Sequence, residues 1–418
     1  MTTSKSQRAQ ALNPTDVTID AATRQDWRTR LLLRRLERLQ SGTLELLLPD
    51  GGRACFRGAV DGPSARVKLH SSRLVSRLVT GGALGLAEGY MAGEWDSPEL
   101  AVALELLHRN EASLRPAVPA LAWTGKMLGR LRHRLRANSR RGARRNIAYH
   151  YDLGNSFYAR WLDETWTYSA ALFAYPEQPL AEAQRAKYQR LLDRLAPRPG
   201  EHILEIGCGW GGFACYAAAH ADVRVTGLTL SEEQLAFARK QAEAAGLSDR
   251  IAFVLRDYRD VTQRFDHIVS IEMYEAVGEA YWPDYFAAIR AALKPGGRAA
   301  LQAITIDEAG FELYRRRADF IQRYIFPGGM LASPSVFGAC AARAGLDERE
   351  RAFFGGDYAR TLARWDHRVT AEREAIVAER GETFYRMWRY YLAYCTAGFS
   401  SGHIDLMQIV FEQPGAGE

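Results

Sequence analysis

An α/β fold with a doubly wound, mostly parallel sheet, preceded by a smaller N-terminal α/β domain, is what this sequence predicts. Three observations carry the prediction. Short apolar runs at 202–208, 223–230, 251–257, 267–273 and 298–305 alternate with helical segments, which calls for crossover connections and parallel strands. Residues 203–214, ILEIGCGWGGFA, set Gly207, Gly209 and Gly212 in a G-x-G-x-x-G spacing directly after the first of these runs. The texture of the chain also changes near residue 146, after a band rich in arginine. With 418 residues there is room for two domains, assigned to 1–135, with a basic linker to about 146, and to 147–418.

In chain order, residues 25–40, QDWRTRLLLRRLERLQ, bring Trp27, Leu31, Leu32, Leu36 and Leu39 near helical spacing and predict a helix. GTLELLLPDGGRACFRGA reads as two strands around a Pro-Asp-Gly-Gly turn, followed by a strand near 65–70 and helices near 71–80 and 97–110. Pro116 and Pro119 mark the end of this unit. In the second domain the segment 231–246, SEEQLAFARKQAEAAG, predicts a helix with Ser231 as N-cap, Gln234 at the capping-box position and Gly246 just past its end. Ligands of such sheets sit beyond the carboxyl ends of the strands. The candidates are therefore Glu205 to Gly209, Leu228 to Ser231, Asp257, Glu272 to Glu275, and Gln302 to Ile304.

Composition bounds the class. Apolar residues make up 47% and charged residues 25%, as in ordinary globular proteins. No apolar run approaches the roughly 20 residues of a bilayer-spanning helix. The start, MTTSKSQRAQALNP, has no apolar core of a secretory signal. The five cysteines are scattered without a C-x-x-C pair, which argues against a disulfide framework or a zinc site. A soluble, cytoplasmic protein without a bound metal is the expectation.

The net charge of +6 is concentrated: residues 112–151 contain no acid but ten cations, and without them the remainder carries −4. Within WTGKMLGRLRHRLRANSRRGARRN, Trp123, Met127, Leu128, Leu131 and Leu135 alternate with arginines. An interfacial helix on anionic lipid has this composition. So does a solvated linker. A nucleic-acid patch is the third reading, but no nucleic-acid module follows it.

The glycine loop itself admits two cofactors. A dinucleotide site places an acidic residue about 20 positions on, at the end of the second strand. Here that strand ends GLTLS, with Thr229 in place of the acid. Glu205 instead precedes Gly207 by two positions, giving E-x-G-x-G, and the helix start at 211–214 offers its positive end to a carboxylate. S-adenosylmethionine has a carboxylate and no pyrophosphate. Asp257 and Tyr258, at the end of the third strand, are placed to meet an adenine. The loop predicts a methyltransferase.

Longer motifs narrow this further. HYDLGNSFYARWLDETWTYSAALF (150–173), GLTLSEEQ, EMYEAVG (272–278), FIQRYIFPGG (320–329) and YYLAYCTAGF (390–399) together resemble the cyclopropane-fatty-acyl-phospholipid synthase family, which includes the mycolic acid cyclopropane synthases. The resemblance spans about residues 146–411; residues 1–135 resemble only loosely the N-terminal lipid-binding domain of bacterial members. It implies a Rossmann-like class I methyltransferase domain and methyl transfer from S-adenosylmethionine to a cis double bond in a phospholipid acyl chain. It also implies a homodimer at the inner membrane surface, docked by the basic band. Tyr168, Ser169, Gly207, Gly209, Thr229, Leu230 and Gln234 match its cofactor contacts.

The resemblance implies as well that a bound bicarbonate removes the proton that closes the cyclopropane ring. Of the family's ligands for it, Glu275, Ile304 and Tyr358 match, whereas Ala170 stands for a Cys and Gln302 for a His. Glu275 is then expected to be the main charged group beside the carbocation. Trp210, Tyr274, Phe320, Tyr324, Phe326, Tyr358 and Tyr391 are available to stabilise that cation. With two ligands replaced, a methylene- or methyl-branched product competes with the cyclopropane, and a non-catalytic lipid- or cofactor-binding paralogue is the third reading.

Overall fold

The computed structural model describes residues 16–19, 26–114, 153–316 and 319–415. The basic band from residue 115 onward, with His150 and Tyr151, lies outside them. The chain forms two compact units, residues 1–122 and 123–418.

The N-terminal unit holds β1 (Asp16–Ile19), α1 (Trp27–Leu36), β2 (Ser41–Leu47), β3 (Arg53–Arg57), β4 (Val60–Leu69), α2 (Arg73–Gly81), α3 (Ala83–Met91), β5 (Trp95–Asp96), α4 (Leu100–Arg109) and α5 (Glu111–Leu114). Its five strands run in the order β1-β3-β2-β4-β5. Alternation decides which face is buried: Leu44 and Leu46 in β2 and Ala54 and Phe56 in β3 point into the core. In α1, Leu33 and Leu36 point inward, and the Asp26 carboxylate caps the first turn by accepting from the Thr29 N–H at 2.7 Å. The helix is shorter than the expected 25–40. The unforeseen α3, ALGLAEGYM, has two glycines and no clear helical stripe, so periodicity gave no signal for it.

Among the described residues the first helices of the second unit are α6 (Asn155–Ala159) and α7 (Leu180–Leu195). There follow β6 (His202–Ile206), α8 (Gly212–His220), β7 (Arg224–Thr229), α9 (Glu232–Ala244), β8 (Ile251–Leu255), β9 (Phe265–Ile271), α10 (Trp282–Ala292) and β10 (Leu293–Ile306). After α11 (Glu308–Tyr314) and a π-helical turn at Ile321–Ile325 come α12 (Pro334–Arg343), β11 (Asp347–Phe353), α13 (Gly355–Ala371), α14 (Arg373–Arg380), α15 (Glu382–Ser400) and β12 (Ile404–Glu412). The seven strands lie in the order β11-β12-β10-β9-β6-β7-β8. β8, β7, β6, β9 and β10 are mutually parallel, and β12 runs antiparallel to β10 and β11. All five strands read from the sequence are present; β11 and β12 add an edge that the alternation rule did not reveal.

Helices cover both faces, as a parallel sheet requires. Trp282, Tyr285, Phe286 and Ile289 of α10 pack with Phe337 of α12 on one face. Tyr188 and Leu191 of α7, Phe213 of α8 and Ala238 of α9 pack on the other. The chain winds from β6 through β7 to β8 in one direction and from β9 to β10 in the other. The switch therefore falls between β6 and β9, and the crevice beyond their carboxyl ends is where a ligand belongs.

Candidate active site

One cavity occupies that crevice, and all ten residues singled out for the cofactor line it: Tyr168, Ser169, Glu205, Gly207, Gly209, Thr229, Leu230, Gln234, Asp257 and Tyr258. The glycines of the loop do different work. Gly207 has φ +84°, and a Cβ there would lie 2.9 Å from Met273 Cγ. Gly209 has φ +51°, and a Cβ would meet no protein atom within 4 Å, so its bare backbone opens onto the cavity. At Gly212 a Cβ would lie 2.4 Å from the Tyr188 hydroxyl, so the third glycine serves helix packing.

Glu205, one residue before the end of β6, is almost fully buried, and its Oε2 has no hydrogen-bond partner among the described residues. Burial pushes its carboxyl well above the usual range, offset in part by Lys187 and by the Ala214 amide. An orphaned acidic oxygen on the cavity wall suits a cationic or N–H donor group of a ligand. Ser231 caps α9 as expected, accepting from the Gln234 N–H at 3.3 Å. The return half of the capping box is not made: the Gln234 side chain accepts from the Thr229 hydroxyl at 3.0 Å, and that hydroxyl also takes the Ser231 N–H at 3.1 Å. Asp257 is gripped by Arg259, whose Nε and Nη2 donate to its two oxygens at 2.9 and 2.6 Å.

The four candidates for catalysis, Glu275, Tyr358, Gln302 and Ile304, stand apart from that lining. What joins two of them to it is Glu272, just past the end of β9, which the sequence marked only as one of several strand-end residues. One carboxylate oxygen of Glu272 accepts from the Ala170 N–H and from Gln302 Nε2, each at 2.8 Å, and the other accepts from the Tyr358 hydroxyl at 2.5 Å. Three of the five positions expected to surround a bicarbonate, 170, 302 and 358, thus bind a carboxylate of the chain itself. Glu272 sits at φ +51°, a left-handed conformation costing of order 1–3 kcal/mol for a residue with a Cβ. The three donors hold it there. Glu275 instead accepts from the Ile304 N–H.

The charges divide accordingly. Burial raises the Glu272 carboxyl, while Tyr358, the Ala170 amide, Lys187 and Gln302 draw it back down. Glu275 is pushed up to about 8, first by burial and then by the negative charge of Glu272. Near neutral pH Glu275 is therefore mostly protonated, whereas the hydrogen bonds and the Lys187 charge favour the ionised form of Glu272.

The orientation of Gln302 is fixed from outside. Arg190 can only donate, and its Nε does so to Gln408 Oε1 at 2.9 Å. The Gln408 amide therefore turns its Nε2 to Gln302 Oε1 at 2.8 Å, which leaves the Gln302 Nε2 to face Glu272.

The aromatic candidates separate as well. Trp210 lines the cavity, and the Tyr391 hydroxyl lies 2.8 Å from that of Tyr168. Tyr274 packs in the core, with its ring centroid 4.5 Å from that of Phe337 and 5.3 Å from that of Trp282. Phe320 packs on Tyr390 with centroids 4.8 Å apart.

Residues 138–409 match the family described as mycolic acid cyclopropane synthetase. Over 376 residues the chain is 41% identical to the tuberculostearic acid methyltransferase UfaA1 of Mycobacterium tuberculosis, covering 87% of this chain and 86% of that one. It is 34% identical to the cyclopropane-fatty-acyl-phospholipid synthase of Escherichia coli, covering 85% and 90% of the two chains. Among solved structures, the mycolic acid cyclopropane synthase CmaA1 complexed with SAH and CTAB superposes with a TM-score of 0.61 at 30% identity, covering 65% of this chain and 98% of that one.

Proposed function

Because the chain belongs to the mycolic acid cyclopropane synthetase family of S-adenosylmethionine-dependent lipid methyltransferases, we propose that it methylates a cis double bond in a phospholipid acyl chain, with Glu272 as the base that resolves the resulting cation. S-adenosylmethionine is the cofactor of this family and supplies an electrophilic methyl group when bound. The cavity fits it: Gly209 leaves the backbone bare, Glu205 on the lining carries a buried oxygen without a partner among the described residues, and the Thr229 hydroxyl ties the end of β7 to Gln234 in the first turn of α9.

The observation that carries the reading is the carboxylate of Glu272 at the end of this cavity. Once the alkene carbon has gained a methyl group, its neighbour on the acyl chain is a cation. Glu272 accepts the proton that this cation must lose, and Tyr358, Gln302 and the Ala170 N–H hold its oxygens in place. Loss of a proton from the new methyl with ring closure gives a cyclopropane. If a hydride first shifts from the methylated carbon to its neighbour, the same loss gives a methylene branch. The replacement of a bicarbonate site by an internal carboxylate, with the greater identity to a tuberculostearic acid methyltransferase, favours the branch; the retained Tyr358, Glu275 and Ile304 support the ring as second reading. No bicarbonate requirement is expected on either route.

Purified protein given S-adenosylmethionine and vesicles of an unsaturated phospholipid should lengthen the acyl mass by one CH2. Proton spectra of the released chain distinguish an exocyclic methylene from a high-field cyclopropane signal. Absence of any methylated lipid, with cofactor binding intact by calorimetry, would favour the non-catalytic paralogue.

A substrate held in a bilayer calls for docking at its surface. Among the described residues no helix is long and apolar enough to cross a membrane. Trp27 and Leu31 of α1 are 63% and 46% exposed, with Arg30 and Arg34 on the same outward side. Together with the basic band, this supports peripheral binding to anionic lipid at the inner face of the cell membrane. Vesicle co-sedimentation should require anionic lipid and weaken with salt. Replacing Arg140, Arg141, Arg144 and Arg145 by Gln should weaken it further, by about 1 kcal/mol for each residue that touches the surface. Unchanged co-sedimentation would leave the band as a plain linker. The homodimer that the family resemblance implies is read by analytical ultracentrifugation of the same protein.

A further inference from the structure

We propose that Lys187 is a positioning residue for the proton-accepting carboxylate: it grips Ser169, whose backbone leads to the Ala170 donor on Glu272, and it sets a positive charge facing that carboxylate. The proposal rests on the reading of Glu272 as base. Lysine is almost never fully buried, and an ammonium without compensation inside a protein is costly. Lys187 has no exposed surface. Gln184, Lys187 and Tyr188 share one face of α7 by their spacing of three and four residues, and that face points at the segment 167–170.

The contacts form a clamp. Lys187 Nζ donates to Ser169 Oγ at 2.7 Å and to Gln184 Oε1 at 2.8 Å, and stands 4.5 Å from the centre of the Tyr188 ring. Gln184 Nε2 donates to the Ser169 carbonyl at 2.8 Å, so that residue is held by side chain and backbone together. Tyr188 pairs its hydroxyl with that of Thr167 at 2.5 Å, fixing the same segment two residues earlier. The next N–H along the chain, that of Ala170, is the one on Glu272.

The clamp also carries charge. Its hydrogen-bonding partners are neutral, and the acidic groups facing it are Glu272 beyond β9, Asp163 in the loop after α6 and Glu205 near the end of β6. Burial lowers the Lys187 ammonium to about 7, and these three carboxylates hold it from falling further. The return effect is that Lys187 lowers the carboxyls of Glu272 and Glu205. A base must be deprotonated to act, so activity falls as pH drops through the Glu272 value. Removing Lys187 raises that value and moves the fall to higher pH.

The test compares the pH dependence of kcat in Lys187→Met and Lys187→Arg with the parent protein. In Lys187→Met the acid limb should move up by about one pH unit, with activity on the acid side of that limb approaching about tenfold below the parent and the gap closing as pH rises. Its KM for S-adenosylmethionine should stay within about threefold, and Lys187→Arg should keep the acid limb of the parent. A Lys187→Met profile parallel to the parent, or an equal loss in both variants at every pH, overturns the proposal and leaves Lys187 a packing element. If Lys187→Met fails to fold by thermal melting, Ser169→Ala carries the test. It severs the grip and keeps the charge, so kcat should fall with the acid limb in place, and an unchanged kcat overturns the proposal. Full activity in Glu272→Gln would instead sink the base assignment itself, so the two failures are told apart.

Discussion

Glu272→Gln should lower turnover about 10²–10⁴-fold, the usual contribution of a positioned general base, while binding of S-adenosylhomocysteine is retained. The amide fills the space of the carboxylate but cannot accept the proton. Glu275→Gln should cost less than about tenfold, because that carboxyl, raised to about 8, is already mostly neutral at pH 7. Glu272→Gly removes the carboxylate outright at a position, φ +51°, that glycine adopts without strain, and turnover should be lost. It also leaves the Tyr358 hydroxyl, Gln302 Nε2 and the Ala170 N–H facing an open space. Added bicarbonate should restore part of the activity of Glu272→Gly and none in the parent. Parent-like turnover in Glu272→Gln, or loss of parent activity on removing bicarbonate, would refute the assignment.

Loss of cofactor binding is the second large effect. Gly207→Val places a branched side chain at φ +84° with its Cβ 2.9 Å from Met273 Cγ, so the loop must move. Binding of S-adenosylmethionine should weaken at least about a hundredfold by calorimetry, with a lower melting temperature. Gly209→Ala isolates the cavity term. Its Cβ meets no protein atom within 4 Å, so the melting temperature should drop less than in Gly207→Val while binding still weakens at least about tenfold. Equal affinity in both variants and the parent would mean that the cofactor lies elsewhere.

The parallel strands were legible because each is a short apolar run ending in a polar or glycine residue. The wall of the cofactor cavity was legible for the same reason, since strand ends in a doubly wound sheet converge. Glu272 was not, although it stands among the strand-end residues. Its importance comes from donors on three other segments, at positions 170, 302 and 358, and no local pattern reports that convergence. Lys187 was hidden more thoroughly: within LAEAQRAKYQRLLDRL it reads as one more cation on an amphipathic helix, and only packing shows that it faces inward. The reversed β12 is an apolar run as well, but its antiparallel place between β10 and β11 comes from a pairing that no local pattern reports.

The Arg190–Gln408–Gln302 line has a consequence for how this site can change. A histidine introduced at 302 alone would have to accept from Gln408 through one ring nitrogen and donate to Glu272 through the other, in one rigid ring in place of a flexible amide, so positions 190, 302, 408 and 272 are epistatically bound. The route between an internal carboxylate and a bicarbonate site therefore runs through poorly active intermediates unless several of these residues change in one step. Two lineages of such enzymes would be kept apart by that valley, each with its own set of residues at these positions.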